Sequence, residues 1–174
     1  MAIWPFRPSR ANQDGERLLE AVTQAARRPA LFAPGRIPDT LEGRFEALAL
    51  YGALALIRLR ADEGAGPLAQ EFTDKLFRLL DAGLREAGVG DTAVPKRMRT
   101  LAGAFYGRLE AYSAAIGADG DAALAAALGR NVFADEAHAF AGTLAAHVLS
   151  VARTQAAAPL DALFTASGWP PAPQ

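Results

Sequence analysis

Cysteine is missing from all 174 residues. Disulfides and thiolate metal sites are thereby excluded, and a reducing compartment is the simpler setting. Histidine is nearly missing too. His138 and His147 are nine positions apart. On one helix that separation is about 900° of rotation, which puts them on opposite faces and excludes a shared metal. His147 borders an apolar stripe through Phe140, Leu144, Val148 and Val151, and reads as a satisfied core-edge residue. Serine is scarce, no nucleophile elbow occurs, and no acid pair stands apart from ordinary surface charge. The expectation is no catalytic set, no metal and no cofactor, so the chain does not read as an enzyme.

A charge excess is lacking as well. The net charge is −1, which argues against a specific nucleic-acid binder. The charge is unevenly placed: residues 1–60 hold nine Arg against six acids, and residues 111–174 hold two Arg against five. No apolar run reaches the ~18 residues of a membrane span; the longest, Leu48 to Ile57, stops at Arg58 and reads as a buried helix. The first ten residues carry two prolines and no apolar core of a secretory signal. β-branched residues are sparse and no alternating strand pattern persists.

What remains is helix. The length fits one domain with a real core, and the pattern predicts an all-α bundle of about six helices around a central buried one. Residues 1–13 read as a mobile arm, residues 14–168 as the helical domain and residues 169–174 as a tail. In the arm, Trp4, Phe6, Arg7 and Arg10 mix aromatics with cations, which suits peripheral membrane contact or a partner protein. A first helix is expected over about Asp14 to Arg28, followed by a proline-rich connector with Leu31 and Phe32 pinned to the core.

The second helix starts at a capping-box-like pair, Asp39 and Glu42. Its two apolar stripes, Leu41–Phe45–Leu48–Leu59 and Leu50–Leu54–Ile57, mark it as central. The third presents Leu68, Phe72, Leu76, Leu79 and Gly83 inward. Glu71/Lys75, Asp74/Arg78 and Asp81/Arg85 are spaced as pairs for a solvated outer face. A short fifth helix begins between Asp119 and Asp121 and closes at Gly129. A sixth spans about Asp135 to Arg153.

The fourth helix is the most informative. Met98, Leu101, Phe105, Leu109, Tyr112 and Ile116 fall at spacings 3, 4, 4, 3, 4, one tight stripe for the core. Opposite lie Gly103, Gly107, Ala111 and Ala114. Mid-helix glycine costs roughly 1 kcal/mol against alanine, so two need a reason: a second internal contact, or a face open to an external helix. Arg99 and Tyr106 border that face, and Arg108 falls on the other side. Lys96, Arg97 and Arg99 crowd a first turn where the helix dipole prefers acids. They suit an acidic partner, or form a solvated turn paired with Asp91. Before them, Gly88-x-Gly90 is no dinucleotide fingerprint, because it follows a helix and lacks the third glycine. It reads as a tight turn, with Gly88 at a left-handed helix end, Asp91 bonding nearby N–H groups, and Pro95 in the next helix's first turn.

The run Gly88-Val-Gly-Asp-x-x-Val-Pro-Lys-Arg-Met-Arg, with Ala104-Phe-Tyr-Gly-Arg and Ala111-Tyr112, resembles the ubiquinol–cytochrome c chaperone family. Gly43-Arg44-Phe45-Glu46 is similar to that family's entry into its domain, and the resemblance spans roughly residues 38–155. It implies a non-catalytic assembly chaperone. The client would be a nascent or immature respiratory membrane subunit, cytochrome b of ubiquinol–cytochrome c reductase foremost. A small helper subunit and the ribosome are further partners it brings. The absence of an organellar leader suggests a bacterial member, cytoplasmic or at the inner face of the membrane. The expected partner-binding residues are Gly88, Gly90, Asp91, Pro95, Lys96, Arg97, Arg99, Gly103, Tyr106, Gly107 and Arg108. Two rivals stand beside this reading: a small-molecule or lipid-binding domain using the space between the second and fourth helices, and a structural homodimer joined through the glycine stripes.

Overall fold

The computed structural model describes residues 9–118 and 120–173. They form six α-helices: α1 (Arg10–Ala26), α2 (Leu41–Arg60), α3 (Gly66–Glu86), α4 (Val94–Gly117), α5 (Asp121–Leu128) and α6 (Ala141–Ala157). Short 3₁₀ turns occupy Pro29–Phe32, Leu160–Phe164 and Ala166–Gly168, and one π turn occupies Gly129–Phe133. No strand occurs among the described residues, so the fold is the expected all-α bundle.

α2 is its axis. Residues 49 to 56 are buried without a break, which requires neighbours on every side. α1, α3, α4 and α6 supply them. At Gly52 two neighbours lie close to the axis, since a Cβ there would touch Leu76 of α3 and Phe105 of α4 at 3.2 and 3.4 Å.

The ends of the helices follow local chemistry, with some shifts from expectation. α1 begins at Arg10 rather than near Asp14, because the Ser9 hydroxyl accepts the Asn12 N–H at 3.1 Å. Trp4, Phe6 and Arg7 lie outside the described residues. α1 stops short of Arg28, whose backbone is extended ahead of Pro29. The cap of α2 is Thr40, which accepts the Gly43 N–H at 3.1 Å, while Asp39 instead accepts from Arg44 at 2.7 Å. α6 begins at Ala141, six residues later than Asp135. Ala134 adopts a left-handed conformation and turns the chain there. His138 therefore sits in a turn, stacked on Phe133 at 3.9 Å, and the argument that placed both histidines on one helix does not apply.

The outer charges of α3 are also rearranged. Asp81 and Arg85 pair as expected, at 2.7 Å. Lys75 is buried and reaches across to Glu16 of α1 at 3.0 Å, and Glu71 accepts from Asn12 at 3.0 Å. Asp74 accepts from Gln70 rather than pairing with Arg78. Part of the supposed solvated face is thus the α1–α3 contact.

The C-terminal segment expected as a tail is packed into the bundle. Trp169 is 2% exposed, and its indole N–H donates to the Leu163 carbonyl at 3.0 Å. Arg28 donates to the carbonyls of Trp169, at 2.7 Å, and Pro170. Arg36 joins the carbonyls of Ala30 and Pro173, each at 2.6 Å. Behind Trp169, the Tyr51 hydroxyl and His147 Nε2 lie 2.8 Å apart. Burial holds the imidazole pKa down at about 4, with Arg28 adding to the effect, so His147 is neutral at pH 7. Its satisfied core role agrees with the sequence reading.

Candidate functional site

α3 ends in a Schellman motif. Gly88 takes φ +82°, its N–H meets the Arg85 carbonyl at 3.0 Å, and the Val89 N–H meets the Leu84 carbonyl at 3.0 Å. A residue with a Cβ would be strained at that φ. The Gly90 carbonyl then accepts from Ala93 and Val94 at 2.8 and 3.2 Å, which starts α4. Asp91 does not bond backbone N–H groups as expected; its carboxylate accepts from Arg85, which also holds Asp81. Pro95 falls within the first two positions of α4.

With Asp91 occupied, the basic first turn of α4 keeps its charge. Among the described residues, Lys96, Arg97 and Arg99 make no ion pair. Further along, the two faces of α4 part. Phe105, Leu109 and Tyr112 are fully buried, as the apolar stripe demands. On the far side, a Cβ added at Gly103 or Gly107 would meet nothing within 4 Å. The second internal contact that could have explained these glycines is not made. Tyr106 is 45% exposed and leans on Phe77 and Phe105 with ring centres 6.0 and 5.6 Å away.

Arg108 behaves differently from the other residues of the expected site. Its Nε and Nη2 donate to the Glu46 carboxylate at 2.6 and 2.5 Å, and Nη1 donates to the Ala104 carbonyl at 3.0 Å. The guanidinium also lies over the Phe45 ring. Burial raises the Glu46 pKa and Arg108 pulls it partly back. Arg108 is thus bound within the molecule and offers a partner no spare charge.

This ion pair lines an open groove of about 490 Å³ where α2, α3 and α4 diverge. Leu41 and Phe45 form one wall, Leu79 and Gly83 a second, and Leu101 and Ala104 a third. Leu41 is 55% exposed and, with Tyr106, is one of the two large apolar residues left open to water among the described residues. Of the residues expected to bind a partner, Arg97 and Arg108 line the groove; Lys96, Arg99, Gly103, Tyr106 and Gly107 do not. The sequence places a ligand space between the second and fourth helices only as a rival reading, and assigns Leu41, Phe45, Leu79 and Gly83 to the core rather than to an open groove. The signal available was an apolar excess at the start of α2 and the end of α3, beside a short proline-rich connector of which only Phe32 reaches the groove. A second cavity, about 440 Å³, lies between α1 and the C-terminal turns and is bordered by Arg17, Gln24, Arg28 and Thr165.

No cluster of three metal-ligating side chains occurs among the described residues. No helix among them is long and apolar enough to cross a membrane. The arrangement is a set of surfaces suited to contact. The family profile described as Ubiquinol-cytochrome C chaperone matches residues 35–168. The chain belongs to that family. Its fold is similar to that in the crystal structure of the Cbp3 homolog from Brucella abortus, with 41% identity and a TM-score of 0.80. The similarity covers 91% of this chain and 88% of that one. No curated protein sequence matches. Membership carries a chaperone role, and with it a protein client. The family match extends beyond the roughly 38–155 stretch that the motifs suggested, as far as the last 3₁₀ turn before Trp169.

Proposed function

We propose that this chaperone binds immature cytochrome b of ubiquinol–cytochrome c reductase at the inner face of the cytoplasmic membrane and aids its maturation without catalysis. The observation that supports this reading most is the apolar groove standing open beside the unpaired Lys96, Arg97 and Arg99. A client built of membrane helices exposes apolar segments before it is assembled, and a helper needs a surface that accepts them and lets them go. Large exposed apolar surface on a folded domain marks such contact sites. The outward face of α4, with Arg99, Gly103, Tyr106 and Gly107, extends the same end of the protein and serves as a second contact. Replacing Arg99→Glu together with Tyr106→Ala leaves the fold intact, since both side chains are exposed, and lowers cytochrome b in membranes. An unchanged haem b spectrum in a strain carrying that pair speaks against the reading.

A second reading draws on the same groove, because it lies between α2 and α4 where a lipid or small apolar ligand would fit. Native mass spectrometry of the purified protein separates the two: a retained small molecule favours the ligand.

A further inference from the structure

We propose that the groove seats one face of a single apolar α-helix, with Gly83 and Ala104 marking where the incoming backbone comes closest. This rests on the client reading above and adds the form in which the client is held. Gly83 lies inside α3, where glycine is less stable than alanine. No neighbour within the protein explains it, since a Cβ there would meet nothing within 4 Å. Its missing side chain leaves space in the groove, and Ala82 and Ala104 keep the walls low around it. Small residues of this kind let a second helix pack backbone against backbone.

The size agrees with one helix face. A helix is about 10–12 Å across with its side chains, too large for a space of about 490 Å³ to swallow whole, but a row of side chains at i, i+3, i+4 and i+7 can enter from outside. Anchors in that pattern are the usual way for a helix to lie in a groove. The charges of the groove favour a helix over an acyl chain. Among the described residues Glu42 and Glu86 line it without a partner, as do Arg27 and Arg97. A helix brings a positive N-terminus and a negative C-terminus, and so can satisfy both signs. A fatty acid brings one anionic head, which can pair with Arg27 or Arg97 but leaves Glu42 and Glu86 without a partner.

The test uses the purified full chain and a labelled, soluble synthetic helix with Leu at i, i+3, i+4 and i+7 and polar residues elsewhere, followed by fluorescence anisotropy. Wild type binds it. Gly83→Leu fills the groove and weakens binding at least tenfold, whereas Ala122→Leu, exposed on α5 and away from the groove, changes it less than twofold. Leu41→Glu, at an exposed position, repeats the loss should Gly83→Leu fail to fold. Equal binding by wild type, Gly83→Leu and Leu41→Glu overturns the proposal. So does oleate binding that depends on Gly83 while the peptide's does not. The client reading fails separately: if Gly83→Leu blocks the peptide and the strain still accumulates normal cytochrome b, the helix seat stands and the client is another protein. If cytochrome b falls and peptide binding ignores Gly83, the client reading stands and the helix seat is overturned.

Discussion

Around Tyr51 the polar groups of α2 and its neighbours find partners. The hydroxyl meets His147, the Gln155 amide donates to the Gly168 carbonyl at 3.1 Å, and Arg58 donates to the Gln155 and Ala158 carbonyls at 2.8 and 3.3 Å. Two turns or so earlier on the same helix, around Phe45, leucines line a space that no described residue fills. One helix therefore has a sealed region and an open one. The difference teaches that the groove is not a consequence of a poor core. The bundle closes over Tyr51 where the C-terminal turns return to it, with Trp169 as the plug and Arg28 and Arg36 as clamps, and the cavity that remains there lies on the far side of Trp169, against α1. That closure fixes α2 firmly enough for its other half to stand partly bare.

The strongest way to break this contrast is to remove the plug. Trp169→Ala leaves a cavity against Tyr51 and is expected to lower unfolding stability by about 4 kcal/mol, read from urea titration. The helical content at zero urea should survive, and with it the peptide affinity of whatever fraction is folded. A loss below about 1 kcal/mol would mean that the sealed region is not what holds the axis.

Acid acts on the same region. His147 is held at about 4 against an ordinary value of 6.5. Between those values the unfolded chain binds a proton that the folded chain does not, so stability is complete above pH 6.5 and falls as pH drops towards 4. A shift of this size corresponds to about 3 kcal/mol. Thermal melts across that window check it. The pair Tyr51→Phe with His147→Leu removes both polar partners together and should flatten the response, because neither is left buried alone.

At the floor of the open region the expected effect is smaller. Arg108→Leu leaves Glu46 without its partner, at a cost of about 2 kcal/mol, reduced from that of a fully buried pair by the remaining water contact. Urea titration at pH 7 measures it. Restoring stability with Glu46→Gln in the same chain would tie the loss to the stranded carboxylate. Smallest of all, and opposite in sign, Gly83→Ala should stabilise by about 1 kcal/mol, since a helix propensity gain meets no clash. A protein that gains stability at a position where natural sequence keeps glycine has kept it for another reason.

The sequence carried most of the scaffold. Phe105, Leu109 and Tyr112 of the α4 stripe set its inner face, while Leu101 of the same stripe lines the groove; Gly88 marked a left-handed end, and Pro95 marked a start. These features depend on neighbours within a few residues, so they are written locally. The groove is not local. Periodicity tells which face of a helix is apolar, but Leu41 and Phe45 look the same whether another helix covers them or none does. Arg108 and Lys75 show the same limit from the polar side. Spacing alone makes each available to solvent or a partner, and each is bound to a carboxylate from a distant segment, Glu46 and Glu16. Trp169 follows two segments of irregular structure, and nothing in its own neighbourhood says that the chain turns back to bury it. For the outward face of α4, spacing alone showed the glycines but left open whether they met a neighbour; the bare surroundings of Gly103 and Gly107 decide that point.

The most direct measurement places a photo-reactive residue at position 41 in living cells, with a second strain carrying it at position 103 and a third at an exposed site of α1. The cross-linked polypeptide is then identified. The account predicts that position 41 captures newly made cytochrome b, that capture disappears with Gly83→Leu, and that the α1 site captures none. Cytochrome b linked from position 103 or α1 but never from position 41 would contradict it.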